Sequence, residues 1–308
     1  MKELVVISGK GGTGKTSLAA SLVALDHKAV VVDCDVDAPD LHLVLQPVIM
    51  QKELFIGGQT ARINAPECTA CEQCLEVCRF EAIRCNGPVE GVNRPVCSVD
   101  PLACEGCAVC AAICPAQAIE MVAAVNGEWF ISHTRFGLMV HARLGIAEDN
   151  SGKLVSLLRK RARELAEQGG HELIICDGPP GIGCPVIASL TGASLVLIVT
   201  EPTVSALHDF ERVVELARHF NLPAVACINK FDLNQTMAER VASRAGQSGV
   251  EVLGRIPYDK AVTEAQMQSV SVVEYDRGPA SAAIIAVWEQ VRDRLESVAP
   301  ARAAGSPA

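Results

Sequence analysis

Short apolar runs of four to seven residues, each closed by a polar or glycine-rich stretch, set the rhythm of this 308-residue chain. Leu4 to Ile7 and Ala29 to Val32 come first. Leu173 to Cys176, Ser194 to Thr200, Ala224 to Ile228 and Val250 to Ile256 follow in the second half. Their length and β-branched content predict strands buried on both faces. Between them, Asn150-Ser151-Gly152-Lys153 opens a segment with Leu154, Leu157, Leu158, Ala162 and Leu165 at helical spacing, and a second helix is expected from about Ser205 to Phe220. A last helix, about Ser281 to Ser297, puts Ile284, Trp288, Val291 and Leu295 on one face and carries balanced charges on the other. Strands alternating with helices imply an α/β fold with a doubly wound, mostly parallel sheet and ligands at the strand C-termini. Gly127 to Arg143, with His133, Arg135, His141 and Arg143, reads as a solvated loop.

The polar stretch after the first run is Gly9-Lys10-Gly11-Gly12-Thr13-Gly14-Lys15-Thr16, which fits the phosphate-binding pattern G-x-x-x-x-G-K-[ST]. A strand leads in and Ser17 to Leu22 continues as helix, so backbone N–H groups and a helix N-terminus converge on bound phosphates. Gly9, Gly11, Gly12, Thr13, Gly14, Lys15, Thr16 and Ser17 are the expected cradle, with Lys15 on the outer phosphates and Thr16 on Mg2+. Carboxylates close two further strands: Asp33, Asp35, Asp37 and Asp40 after the second, and Asp177 before a Gly/Pro turn after a later one.

From about residue 59 the composition changes. Cys68-x2-Cys71-x2-Cys74-x3-Cys78 recurs 36 positions later as Cys104-x2-Cys107-x2-Cys110-x3-Cys114, and Ala82-Ile83 recurs as Ala118-Ile119, an internal duplication. Two in-phase thiolate quartets suit iron; zinc modules usually use separated C-x2-C pairs. Cys34, Cys85, Cys97, Cys176, Cys184 and Cys227 stand outside the quartets and read mostly as buried small hydrophobes, with Cys85 and Cys97 on apparent strands flanking the quartets.

A net charge of -9 argues against nucleic acid as the main partner. There is no apolar segment long enough to cross a bilayer and no room for a signal peptide before the first strand, so a cytoplasmic protein without a membrane partner is expected. Its fourteen cysteines should then be reduced or bound to metal rather than paired in disulfides.

Lys10, directly after the first glycine of the loop, makes the segment resemble the deviant Walker loop of the ParA, MinD and nitrogenase iron-protein class of ATPases. The resemblance implies a nucleotide-sandwich dimer, formed with itself or with a paralogous ATPase, in which Lys10 neutralises phosphate charge across the interface. It also implies that Asp35 positions the attacking water and helps to hold Mg2+. Asp177 becomes a Walker-B-like acid near Mg2+, Gly178 and Gly181 sense the γ-phosphate, Asn229 reads the adenine edge, and Pro257 borders the base. Cys184, seven residues after Asp177, stands where the iron-protein branch bridges two subunits with a cluster; lacking that branch's second cysteine segment, it reads as a packed thiol. MinD's basic membrane helix has no counterpart at the end of the chain.

The cysteine spacing resembles that of two-cluster bacterial ferredoxins, in which the fourth cysteine of each run serves the other run's cluster. That resemblance assigns Cys68, Cys71, Cys74 and Cys114 to one 4Fe-4S cluster and Cys104, Cys107, Cys110 and Cys78 to a second. Arg79 replaces the proline that often follows the fourth cysteine, a departure that touches local geometry or potential rather than ligation. The order as a whole resembles MinD-superfamily ATPases with an inserted α+β ferredoxin-like domain: ATPase over 1–58 and 125–298, insert over 59–124, and a disordered tail over 299–308. What it implies is ATP-gated electron transfer to a redox partner. A carrier that hands clusters to an accepting protein is one alternative, and a MinD-like positioning ATPase with structural clusters is another.

Overall fold

The computed structural model describes residues 1–85, 94–145 and 151–300. Asn150 and residues 301–308 of the expected tail lie outside them. The chain divides into two compact units, one of residues 1–53, 129–143 and 151–308 and one of residues 54–128 and 144–150.

The expected apolar runs of the first unit form β1 (Lys2–Ser8), β2 (Val30–Asp33), β8 (Leu173–Pro180), β9 (Leu195–Thr200), β10 (Ala224–Asn229) and β11 (Glu251–Ile256). Between β2 and β8 the chain adds β3 (Val48–Ile63), β4 (Ile83–Arg84), β5 (Ser98–Val99), β6 (Ile119–Thr134) and β7 (Gly137–Leu144). The main sheet has the order β11-β10-β9-β1-β8-β2-β7-β6-β3. β1 pairs in parallel with both β8 and β9, and β2 with β8 and β7. Register sets Asp33 opposite Asp177, so the acids that close two adjacent strands emerge side by side.

The helices in chain order are α1 (Lys15–Leu25), α2 (Leu41–Leu45), α3 (Gln73–Val77), α4 (Val109–Ile113), α5 (Ser151–Gly169), α6 (Cys184–Leu190), α7 (Val204–His219), α8 (Gln235–Gln247), α9 (Lys260–Met267), α10 (Val272–Tyr275) and α11 (Pro279–Ser297). Leu4, Val6, Ile175 and Leu197 pack in one apolar cluster with Leu18 and Leu22 of α1 and Trp288 and Val291 of α11. α5, α6 and α7 lie against the same strands but contribute nothing to that cluster, so both faces of the sheet are covered. None of the helices among the described residues is long and apolar enough to cross a membrane.

Two expectations need correction. The buried face of α5 is Leu154, Val155, Leu158, Ala162 and Ala166, and it includes Arg159; Leu157 and Leu165 are only half-buried. Arg159 is drawn in by Glu3, buried on β1: Nε of Arg159 donates to Glu3 Oε1 at 2.5 Å, and Nη2 of Arg163 donates to Oε2 at 2.6 Å. Burial opposes charge on Glu3, but the two guanidiniums outweigh it and hold the carboxyl below its ordinary range. Gly127 to Arg143, read as a loop, falls on β6 and β7, neighbours joined through Arg135 and Phe136. There His141 is buried, stacks on Phe130 and hydrogen-bonds Ser132 Oγ at 2.8 Å; burial, then His42, lowers its pKa to about 4. Arg135 pairs with Glu274 at 2.7 Å.

In the second unit the duplication is written in the backbone. Ala70, Glu72 and Glu81 have φ of 54°, 61° and 52°, and Gly106, Ala108 and Gln117, each 36 positions on, have 64°, 62° and 51°. α4 repeats α3 at the same offset. β4 and β5 pair antiparallel, Ile83 opposite Val99 and Arg84 opposite Ser98.

Candidate functional site

The turn between β1 and α1 is shaped by glycine. Gly14 has φ 87°, and a Cβ there would sit 2.3 Å from Asn229 Nδ2, so no other residue lets β10 close on the loop. Asn229 Nδ2 donates to Thr13 O at 2.7 Å and its Oδ1 accepts from Lys230 N at 3.0 Å. Asn229, expected on the adenine edge, thus braces the loop. It nevertheless lines, with Gly11 to Ser17, Asp35 and Pro257, a cavity of about 470 Å3. Gly9 and Lys10 lie outside that lining. Ser17 Oγ accepts from Gln266 Nε2 at 2.8 Å.

Lys15 is buried and its Nζ donates to Asp177 Oδ1 at 2.7 Å, with Asp35 Oδ2 at 3.9 Å and Thr16 Oγ1 at 3.3 Å. Burial disfavours its charge, but Asp177, Asp35 and Asp33 outweigh it and raise its pKa. Asp33 is fully buried and accepts from the N–H groups of Asp35 and Leu41; burial and then Asp177 push its carboxyl well above the ordinary range. Asp35 rises to about 6, chiefly through burial, with Lys15 opposing and Asp177 reinforcing the shift. Oδ2 of Asp177 and Oγ1 of Thr13 are buried without a hydrogen-bond partner. One cation among three carboxylates, with orphaned oxygens beside a glycine turn and a helix N-terminus, suits a phosphate chain carrying a divalent cation.

Lys10 is a third exposed and reaches Glu201 Oε1 at 2.7 Å, with Thr203 and Ser205 hydroxyls at 3.4 and 3.3 Å. Lys230 joins the same carboxylate at 3.4 Å and donates to Gly12 O at 2.9 Å. Burial opposes charge on Glu201, and the two lysines outweigh it and lower its pKa. Sequence reasoning missed Glu201 and Lys230; the only signal was that each directly follows a buried strand's last residues.

In the second unit Cys68, Cys71, Cys74 and Cys114 line one small cavity, and Cys78, Cys104, Cys107 and Cys110 line another. The fourth cysteine of each run is therefore with the other run's three. N–H groups of Ala70, Ala61 and Ala118 each lie 3.4 Å from a quartet sulfur, on Cys68, Cys104 and Cys114. No three sulfurs of either quartet are mutually within 4.8 Å. Four thiols about each cavity form a soft donor set that fits an iron-sulfur cluster.

Of the six remaining cysteines, Cys34, Cys176 and Cys227 are buried as expected, and burial pushes the Cys227 thiol up to about 12. Cys184 is exposed at the start of α6 and joins no metal-ligating group of three or more among the described residues. Cys85 and Cys97 correct the expectation of reduced thiols: they form a disulfide. They sit one step beyond the Arg84 and Ser98 pair of the β4 and β5 ribbon, where the register brings them opposite each other.

The chain is similar to several known proteins. An uncharacterized protein of Methanocaldococcus jannaschii, MJ0578, is 35% identical over 237 residues, covering 75% of this chain and 79% of its own. A second from the same organism, MJ0579, is 24% identical and covers 90% and 94%. An iron-sulfur cluster carrier protein of Pyrococcus horikoshii is 28% identical over 48% of this chain and 54% of its own. The septum site-determining protein MinD of Pyrococcus horikoshii, solved with Mg-ADP, shares the fold at TM-score 0.57 and 18% identity, over 94% and 95% of the two chains. Residues 4–272 match the CobQ/CobB/MinD/ParA nucleotide binding domain, and the chain belongs to that family.

Proposed function

We propose that this protein binds and hydrolyses ATP with Mg2+ and that its nucleotide state gates electron transfer from two 4Fe-4S clusters to a partner protein. What carries the reading is the gathering of eight cysteines into two crossed quartets in a chain that also holds a complete phosphate loop with the extra lysine. In the first unit, Lys15 exchanges its Asp177 carboxylate for the outer phosphates, which frees Asp177, with Thr16 and Asp35, to hold Mg2+. Bound Mg2+ supplies charge neutralisation on the phosphates. Asp35, half-buried near Lys15, accepts a hydrogen bond from the attacking water. Lys10, released from Glu201, meets phosphate charge across a dimer, formed with a second copy or with a paralogue. The existence of two relatives in one organism supports the paralogue.

In the second unit, the ligands are Cys68, Cys71, Cys74 and Cys114 for one cluster and Cys104, Cys107, Cys110 and Cys78 for the other. The clusters supply one-electron redox chemistry. Residues 54–128 leave the main chain path after β2, whose end carries Asp33 and leads into Asp35, and this connection supports coupling. Iron and acid-labile sulfide counts on anaerobically purified protein test the reading. About eight irons are expected, falling to about four in Cys71→Ser or in Cys107→Ser. Zinc, or no metal, in the quartets would refute it. The relative named as an iron-sulfur cluster carrier favours a second reading, cluster delivery. Loss of iron to an apo-acceptor on ATP addition, faster than in Lys15→Ala, would favour that reading over gated electron transfer.

A further inference from the structure

The Cys85 and Cys97 disulfide does not lie apart from the quartets. Both of its sulfurs and Cys74 Sγ are mutually within 4.8 Å, and Cys97 also lines the cavity of the Cys68, Cys71, Cys74 and Cys114 quartet. All twelve other cysteines are free. A bond that only stapled the two-residue strands β4 and β5 would have no need to place both its sulfurs within 4.8 Å of a first-quartet sulfur. We propose, on the basis of the two-cluster reading above, that Cys85 and Cys97 are a redox-active pair that converts one-electron cluster chemistry into two-electron dithiol chemistry.

The step balances. The S–S bond would take up two electrons and two protons and open to two thiols, the two electrons being those that a reduced cluster held in each quartet would supply, one apiece. Protons come from solvent on the side of Cys85, which is partly exposed, whereas Cys97 is buried. The reduced pair is then a dithiol whose natural acceptor is another disulfide, taken at the Cys85 sulfur by thiol-disulfide exchange. Electrons reach the pair through Cys74, the quartet member whose Sγ lies within 4.8 Å of both its sulfurs.

The test is an anaerobic reductive titration of the holoprotein with iron count, EPR and mass-spectrometric thiol labelling on the same samples. Wild type should take up about four electrons per chain, two at the clusters and two at the disulfide. Cys85 and Cys97 should become labelled as the cluster signal appears. The double variant Cys85→Ser, Cys97→Ser should keep its iron and take up about two electrons. Metal-free wild type, given the same reductant for the same time, should keep the bond closed. Full iron and a reduced-cluster EPR signal with Cys85 and Cys97 still unlabelled would overturn the proposal and leave the two-cluster reading standing. Free thiols at both positions before any reductant is added would also overturn it. Protein without iron would refute the two-cluster reading and this proposal with it.

Discussion

Replacing Asp35 with asparagine should make the nucleotide-free protein more stable at neutral pH, and the gain should vanish in acid. Asp35 lies beside Asp33 and Asp177, and burial first of all carries its pKa to about 6. An unfolded aspartate titrates near 3.9, so the displacement is worth at most about 3 kcal/mol, and less as solvent screens this half-buried carboxyl. The folded state binds this proton more tightly than the unfolded state. Stability from Asp35 is therefore fullest below about pH 4, falls as the pH rises toward 6, and stays low above it. Asparagine resembles the protonated form at every pH. The variant should match wild type near pH 4 and exceed it by up to about 3 kcal/mol at pH 7.5. Urea unfolding in EDTA, followed by tryptophan fluorescence, reads this directly. The chain's two tryptophans, Trp129 and Trp288, are both buried in the first unit, so the signal reports the unit that contains Asp35. Equal stability at pH 7.5, or a gap that persists to pH 4, would refute the reasoning.

Gly106→Ala should destabilise the second unit by more than the about 1–2 kcal/mol that a left-handed alanine costs, because its Cβ would lie 2.1 Å from Gln59 O. Iron content should fall with it, whereas Ala70→Gly at the equivalent left-handed position should retain iron. Arg159→Met leaves Glu3 buried with only Arg163 to pair it, and thermal or urea unfolding should show a loss of about 3–5 kcal/mol. Glu201→Gln weakens the hold on Lys10, an ion pair worth about 0.5–1 kcal/mol in each protomer, and should tighten ATP-dependent dimerisation of two variant copies up to about five- to thirtyfold in sedimentation.

What could be read in the chain was whatever is written within a few residues. The phosphate loop declares itself because glycine, lysine and threonine must stand at fixed offsets between a strand and a helix. The quartets declare themselves because a run of four cysteines recurs whole 36 positions on, and left-handed residues at the same offset show that the backbone repeats with it. What stayed hidden depended on partners far away in sequence. Arg159 faces inward because Glu3 is there, 156 residues earlier. Lys10 is held by Glu201, and Asn229 and Lys230 grip the loop from more than two hundred residues away. Cys85 and Cys97 meet only once β4 and β5 have paired. The edges of the second unit's longer segment, residues 54 and 128, fall inside β3 and β6, sixteen residues each, where no turn or break in pattern marks a boundary.

The central claim, that nucleotide state in the first unit reaches the clusters in the second, is tested most directly by their midpoint potentials. EPR-monitored redox titration of iron-replete protein with and without ATP and Mg2+, beside Asp35→Asn, supplies them. The account expects a nucleotide-dependent shift in potential or line shape that the variant alters. Identical spectra and potentials in all samples, with both clusters present, would contradict it.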